Sequence, residues 1–260
     1  MRTPEGPAVL HLVSTDRSSV EAEAWGGGAS MALEAAPALV GALDDDAGFA
    51  PAHPVVADAW RRHRGVRLTR SGDVVQALIP AILEQKVTGP EARRAYARLT
   101  RATSEPAPGP FSDLLLPPDP PRVAELGTFA FHPFGVERRR AELVRRICAD
   151  AVRLDALASR EPSEARAGLE AISGIGPWTG AEVARLALGD RDAVSVGDYH
   201  LPNLVAWALA GEARGDDARM LQLLEPYRGH RGRVQRLLEA SGIAAPRFGP
   251  RMTIREIERI

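Results

Sequence analysis

The stretch from Leu169 to His200, LEAISGIGPWTGAEVARLALGDRDAVSVGDYH, places the strongest constraint on how this chain can fold. An apolar-periodic segment runs into Gly174-Ile175-Gly176, and Pro177 opens a second such segment that Gly189 stops. Proline at the first helical position and glycine just past the last one are typical helix boundaries. The pattern therefore predicts two short helices joined by a tight glycine turn, a helical hairpin over about residues 163–189.

The glycine turn exposes backbone N–H groups at the N-terminus of the second helix. Together with the positive end of the helix dipole, such groups form an anion site, for which a nucleic-acid phosphate is the natural ligand. Glycine at positions 174 and 176 allows close backbone approach and a positive φ, which a side chain penalises. The hairpin is thus expected to grip a phosphate backbone.

Asp198 follows the hairpin in the run Gly197-Asp198-Tyr199-His200 and stands just before another helical segment. A carboxylate at this place accepts backbone N–H bonds and lies at the positive end of the helix dipole, and both effects favour its ionised form. An isolated aspartate with this pattern is a plain helix N-cap. Next to the hairpin, Asp198 is also the candidate catalytic residue.

Composition narrows the class of protein. Cys148 is the only cysteine, so one chain can form neither a disulfide framework nor a cysteine-based zinc or iron–sulfur cage. No apolar run reaches about 18 residues and no signal-peptide pattern is present, which predicts a soluble cytoplasmic protein with no membrane partner. The net charge of −1 means that a nucleic-acid footprint must come from local clusters.

The order of patterns along the chain predicts a mainly α fold. Alternating residues over 9–13 and 20–24 predict two short strands, and Met31–Leu43 predicts a helix that Pro37 interrupts. From Pro54 onward the pattern is helical nearly to the end, with proline-rich loops. We predict a small N-terminal α+β cap (1–45), an all-α domain (46–245) and a basic C-terminal tail (246–260).

Five blocks of sequence resemble the helix-hairpin-helix DNA glycosylases, most of all the bacterial DNA-3-methyladenine glycosylase II branch. They are residues 81–88 (AILEQKVT), 135–142 (GVERRRAE), 174–179 (GIGPWT), 196–199 (VGDY) and 225–228 (EPYR). A Gly-x-Gly turn alone is a weak signal, but these blocks in this order form a strong one. The resemblance implies the helix-hairpin-helix glycosylase fold with a small β-rich cap, a monomeric protein of the bacterial nucleoid, and double-stranded DNA with damaged bases as partner.

The same resemblance implies a base pocket formed by Trp178, Glu182, Tyr199 and Tyr227. Trp178 stands where bifunctional relatives hold a lysine that forms a Schiff base, so the resemblance implies a monofunctional enzyme. The alternative interpretation of Trp178 is a side chain that packs in the core. Tyr227 matches an aromatic ring that contacts the flipped base, or else only packs in the core or at the surface. Glu182 replaces a pocket tyrosine, and either faces solvent or changes base selectivity.

DNA contacts are implied at the hairpin and at one loop, and a cation at the hairpin. The DNA-contacting positions are Gly174, Ile175, Gly176 and Thr179 of the hairpin, and Gln85, Lys86, Val87 and Thr88 of the loop that inserts an apolar wedge in the family. The wedge position falls on Lys86, which fills a base gap poorly, so Val87 is the alternative. The carbonyls of Glu170, Ile172 and Ile175 match positions that hold Na⁺ or K⁺ in relatives. No other cofactor and no iron–sulfur cluster is expected.

Outside these blocks, arginines at the C-terminal end either track DNA phosphates or form a solvated charged face. They are Arg231, Arg233, Arg236, Arg247 and Arg251.

These residues favour one reaction. Cleavage of an N-glycosidic bond builds positive charge on the sugar. A carboxylate about 4 Å away, at an effective dielectric near 20, contributes roughly 4 kcal/mol, or about a thousandfold in rate. That suffices when the leaving base is alkylated and cationic, because it departs neutral. The hypothesis is a monofunctional glycosylase for 3-methyladenine- or 7-methylguanine-type purines. The alternatives are a glycosylase for oxidised or deaminated bases and a non-catalytic DNA-binding module.

Overall fold

The computed structural model describes residues 1–16 and 19–247, together with Thr253 and Ile257. Most of the predicted basic tail, including Arg251, lies outside the described residues. Two compact units alternate along the chain: residues 1–42 with 71–159, and residues 43–70 with 160–247. The division into 1–45, 46–245 and 246–260 stays a prediction.

The secondary structure is mainly helical, as the sequence predicts. Two antiparallel hairpins open the chain, β1 (Arg2–Thr3) with β2 (Gly6–Pro7) and β3 (Val9–Ser14) with β4 (Val20–Trp25). In chain order the α-helices of the described residues are α1 (Ala29–Leu39), α2 (Pro54–Arg62), α3 (Val74–Leu83), α4 (Gly89–Thr103), α5 (Pro120–Glu125), α6 (Arg138–Ala149), α7 (Ala151–Asp155), α8 (Pro162–Glu170), α9 (Pro177–Val183), α10 (Leu201–Ala210), α11 (Asp217–Leu224) and α12 (Arg231–Ala240). Within the described part, no helix has the length and apolar character needed to cross a membrane.

The first unit is built around α3. Its apolar run predicts a buried core helix, and the side chains of Val74, Val75, Leu78, Ile79, Ile82 and Leu83 have no exposed surface. Each fully buried side chain of this size contributes about 1.5–3 kcal/mol of transfer free energy. The N-terminal β3–β4 hairpin is less buried than its apolar alternation suggests.

Two carboxylates cap the N-terminus of α3. Asp73 accepts a hydrogen bond from the Gln76 backbone N–H at 3.0 Å, and Asp155 accepts one from the Val75 N–H at 2.9 Å. Burial, with the nearby charge of Asp155, raises the pKa of Asp73 from its ordinary value of 3.8 to about 6. Burial also raises the pKa of Asp155. Because the folded protein binds the Asp73 proton more tightly than the unfolded chain does, stability falls as the pH rises from about 4 through 6.

The second unit has a core formed by α2, α10, α11 and α12. The buried side chains of this core are Val56, Ala59, Val194, Leu201, Val205, Met220, Leu224, Tyr227, Val234, Leu237 and Leu238. Val194 and Leu201 lie on either side of Asp198 in the sequence. Both ends of the loop that carries Asp198 are therefore anchored in the core.

The hairpin helices α8 and α9 belong to the same unit. α9 continues as a π-helical turn over Ala184–Leu188 and stops at Gly189, whose φ is +66°. The boundaries read from Pro177 and Gly189 are confirmed.

Asp73→Asn should stabilise the protein at neutral pH and have little effect near pH 4. Asparagine keeps the oxygen that accepts the Gln76 N–H, and it removes the cost of ionising a buried carboxyl group. The expected gain is on the order of 1–3 kcal/mol above pH 7. Thermal unfolding at pH 4.5 and pH 8 measures it. Asp216→Asn, at the exposed cap of α11, is the control. An equal gain at both pH values would contradict the assignment.

Candidate active site

The hairpin turn has one buried residue between two exposed glycines. Ile175 is only 3% exposed, while Gly174 and Gly176 on either side of it are exposed. Gly174 has φ +97°, which a residue with a side chain adopts only under strain. Gly176 has φ −97° and ψ 179°, an extended conformation open to any residue, and a Cβ there would meet no atom within 4 Å. The expectation of positive φ is therefore right for Gly174 and wrong for Gly176.

The carboxylate of Asp198 is held by three hydrogen bonds. Oδ1 accepts the backbone N–H groups of His200 at 2.7 Å and Leu201 at 2.8 Å, at the start of α10. Oδ2 accepts the indole N–H of Trp178 at 3.1 Å. The predicted capping geometry is present, and in addition the carboxylate is tied to the second helix of the hairpin.

Trp178 is the link between these two elements. It is the second residue of α9, partly buried, and its indole nitrogen reaches the Asp198 carboxylate twenty residues further along the chain. The side chain thus has a defined polar role besides packing. An indole nitrogen carries no nucleophilic lone pair, so Trp178 cannot form a Schiff base.

An open recess of about 330 Å³ adjoins Asp198. Its lining residues are Gly197, Asp198, Tyr199, Pro202, Asn203, Gly215, Asp216 and Asp217. Tyr199 is 74% exposed. The structure therefore brings two of the predicted site residues, Asp198 and Tyr199, to the same recess.

Tyr227 lies in the core of the second unit. It is 3% exposed, and its hydroxyl oxygen accepts the His53 backbone N–H at 3.0 Å and lies 2.7 Å from His53 Nδ1. Its ring packs against Phe49 and His53. Burial raises the pKa of the Tyr227 hydroxyl. The core reading is confirmed, and a contact with a flipped base stays a prediction.

Glu182 neither faces solvent nor lines the recess. Its carboxylate accepts a hydrogen bond from the Ser195 hydroxyl and forms an ion pair with Arg185 at 2.7 Å. The side chain is only 17% exposed. The sequence predicts that Glu182 either faces solvent or changes base selectivity, and neither alternative includes this internal polar contact. The sequence carries little signal for this contact, because Ser195 lies thirteen residues away from Glu182 along the chain.

Two of the arginines considered for phosphate contact have internal partners instead. Arg233 is 2% exposed and pairs with Asp44 at 2.7 Å. Arg231 donates from Nε to Asp192 at 2.8 Å. Arg236 is more exposed, at 47%, and lies 3.9 Å from Glu239. The phosphate reading is therefore wrong for Arg233, whose charge is neutralised in the interior.

The predicted DNA-contacting loop, residues 85–88, belongs to the first unit and joins α3 to α4. Lys86 is exposed and has φ +56°, the only positive φ of a non-glycine residue within the described chain. Buried Arg140, for which no role was predicted, donates to the Leu83 carbonyl at 2.7 Å and so supports the start of the loop. Thr88 and Glu91 close its end through a capping box. Val87 is partly buried.

The carbonyl groups proposed for a monovalent cation lie at the end of α8 and in the turn. Ile172 O accepts the Ile175 N–H at 2.9 Å, which leaves it a second lone pair. Carbonyl oxygens are suitable donors for Na⁺ or K⁺, so the donor chemistry of Glu170, Ile172 and Ile175 fits. Binding of a cation there stays a prediction.

Thr179, the fourth predicted hairpin residue, is 2% exposed and so offers DNA little side-chain surface.

Several solved structures have the fold seen here. The chain is similar to the 3-methyladenine DNA-glycosylase from Archaeoglobus fulgidus, with 16% identity, a TM-score of 0.73, and 90% of this chain and 82% of that chain covered. It is also similar to the Clostridium acetobutylicum 8-oxoguanine glycosylase/lyase in complex with double-stranded DNA (13% identity, TM-score 0.69, coverage 94% and 88%). A third is the Schizosaccharomyces pombe 3-methyladenine DNA glycosylase in complex with abasic DNA (16% identity, TM-score 0.60, coverage 83% and 100%).

These likenesses define the fold. No protein-family model matches the chain, and no curated protein matches its sequence significantly. The chain has the mainly α, helix-hairpin-helix fold of these DNA glycosylases, with a small N-terminal β-rich cap. The fold implied by the sequence resemblance is confirmed.

Gly176→Val should weaken binding to damaged and undamaged duplexes by the same factor. The valine fits the local backbone and its side chain enters open space, where we expect it to block the approach of a phosphate to the start of α9. Oligonucleotide binding measured against salt concentration tests this, because the slope should fall by about 0.9 for each phosphate that the variant no longer neutralises.

Gly65→Val provides the control, because Gly65 also has open space around it in the same unit. Circular dichroism verifies the fold of both variants. A well-folded Gly176→Val protein that binds both duplexes as tightly as the wild type would exclude the hairpin as the anchor.

Proposed function

We propose that this protein is a monofunctional DNA glycosylase that hydrolyses the N-glycosidic bond of alkylated purines, of the 3-methyladenine and 7-methylguanine type. The observation that carries the proposal is the Asp198 carboxylate, tied to the hairpin through Trp178 and placed at an open recess. Its setting within a DNA glycosylase fold supports this function. Two of the similar structures above are named as 3-methyladenine DNA glycosylases.

The chemistry needs one fixed negative charge. The C1′–N bond breaks with its electron pair going to the base, so an alkylated cationic base leaves neutral and positive charge remains on the sugar. Asp198 stabilises that charge, and water adds to C1′ and gives up a proton. A carboxylate at about 4 Å contributes roughly 4 kcal/mol at an effective dielectric near 20, about a thousandfold in rate.

The hydrogen bonds of Asp198 support this role. Backbone donors on Oδ1 and the indole donor on Oδ2 orient the carboxylate before any substrate binds. A preorganised charge does not need to reorient during the reaction, which is the main source of electrostatic catalysis. The hairpin would hold the DNA backbone, and the base would leave the stack to reach the carboxylate.

Asp198→Asn should keep DNA binding and slow base release by about a thousandfold. Asparagine retains Oδ1 for the His200 and Leu201 N–H groups but loses the charge and presents an amide N–H₂ to Trp178. Single-turnover release from methylated DNA measures the effect. Trp178→Phe is the matched variant, because it removes the indole donor and leaves the charge, so its loss should be much smaller. Wild-type rates for Asp198→Asn would remove the mechanism.

Borohydride should trap no covalent adduct between this protein and DNA, and strands should break only after alkali treatment. Trp178 stands in the lysine place and Lys86 is the only lysine of the chain. A mobility-shift assay of the reduced reaction detects any adduct. Abundant trapping would show that Lys86 or the N-terminal amine acts as a nucleophile and would overturn the monofunctional proposal. Lys86→Arg distinguishes the two, because it abolishes only trapping by Lys86.

The substrate is tested by chromatography of the bases released from methylated genomic DNA. Release of methylated purines supports the proposal. Release of oxidised or deaminated bases from correspondingly damaged DNA, with none from methylated DNA, would change the substrate class. DNA binding without release of any base would indicate a non-catalytic DNA-binding module.

A further inference from the structure

Ser195 lies in the loop that leads to Asp198 and has a hydrogen bond on each of its polar groups. It is 2% exposed, and its side chain and both backbone polar groups have partners. Its hydroxyl donates to Glu182, at the end of α9. Its N–H donates to Gln235 Oε1 at 3.2 Å, and Gln235 Nε2 donates to the Ser195 hydroxyl at 3.1 Å.

The remaining bond of Ser195 runs to the candidate catalytic residue. The backbone N–H of Asp198 donates to the Ser195 carbonyl oxygen at 3.2 Å. A displacement of Ser195 would therefore move the backbone from which the Asp198 carboxylate projects. Glu182 and Gln235 hold Ser195 from two different helices, α9 and α12.

The partners of Ser195 are themselves supported. Gln235 is 2% exposed and donates to Glu239 Oε1 at 2.9 Å. Arg185 pairs with Glu182 at 2.7 Å and with Glu239 at 3.6 Å. Connected polar groups in an interior hold each other in a single arrangement, since a buried group that loses its partner is costly. Glu182, Arg185, Ser195, Gln235 and Glu239 thus form one connected polar cluster.

We propose that Glu182 and Gln235 are positioning residues for Asp198. This rests on the proposed role of Asp198. They hold the preceding end of its loop through Ser195, while the start of α10 and the Trp178 indole hold the carboxylate itself. Coulomb attraction falls with distance, and a misplacement of about 1 Å in an active site can cost on the order of a hundredfold in rate. The expected effect of releasing one of several restraints is about tenfold.

Four variants separate positioning from general stability. Glu182→Ala removes the acceptor of the Ser195 hydroxyl, and Ser195→Ala removes that hydroxyl with a smaller change in volume. Glu182→Gln restores a hydrogen-bonding group to Ser195 and should recover most of the activity. Glu212→Gln removes a charge that pairs with Arg219 elsewhere in the same unit and leaves every contact of Ser195 and its partners in place, so it is the matched control.

Two kinds of measurement are made on each variant of the full chain, one functional and one spectroscopic. The first is the single-turnover rate of base release, in wild-type and Asp198→Asn backgrounds, together with duplex affinity. The second is the ¹H–¹⁵N resonance of the Trp178 indole, which reports its hydrogen bond to Asp198 without any need for activity. Trp178→Phe assigns that resonance.

The expected result is a drop of about tenfold in the release rate for Glu182→Ala and Ser195→Ala, with duplex affinity within about twofold of wild type. The Trp178 indole resonance should shift in both variants and return toward its wild-type position in Glu182→Gln. In the Asp198→Asn background, neither variant should slow release further, because both act through that carboxylate. Glu212→Gln should behave like the wild type.

Folded Glu182→Ala and Ser195→Ala proteins with an unmoved indole resonance would overturn the inference, whatever their activity. So would an equal loss of rate in both backgrounds. Failure of the proposed function looks different: Asp198→Asn would then release base at the wild-type rate, or the wild type would release none. In that case the indole resonance still decides whether Ser195 positions the Asp198 loop. If Glu182→Ala does not fold, Ser195→Ala carries the test.

Discussion

The hydrogen bonding of one partly buried carboxylate, Asp198, connects two helices of the second unit. A carboxylate removed from bulk water needs donors, and here they come from two separate parts of the chain. The start of α10 supplies two backbone N–H groups, and α9 supplies the Trp178 indole. The glycine turn before α9 begins the helix that brings Trp178 to Asp198, and the sequence predicts an anion contact at the same turn.

The arrangement suits a reaction that needs a fixed charge more than a mobile one. Val194 and Leu201 anchor the loop in the core of the second unit, and Ser195 is bonded on all of its polar groups. Preorganised charges act strongly because the protein has already oriented them in folding. A substrate whose base leaves as a neutral molecule makes the least further demand on such a site.

Several arginines of the second unit form ion pairs with carboxylates of the same unit. Arg233 with Asp44, Arg231 with Asp192 and Arg185 with Glu182 are pairs formed inside the unit. An arginine-rich chain with a net charge of −1 therefore leaves fewer cations for a phosphate backbone than a count suggests. The phosphate contact predicted for the backbone of the hairpin would not depend on the number of free arginines.

The local elements of the fold could be predicted from the sequence because their signals act over a few residues. Pro177 and Gly189 bound a helix through their own backbone preferences, and Asp198 caps α10 through groups two and three residues ahead. Only the tertiary structure could assign Glu182 to Ser195, Tyr227 to His53 and Arg233 to Asp44. Those partners lie 13, 174 and 189 residues apart, and helical periodicity carries no information about which polar group packing will bring opposite another.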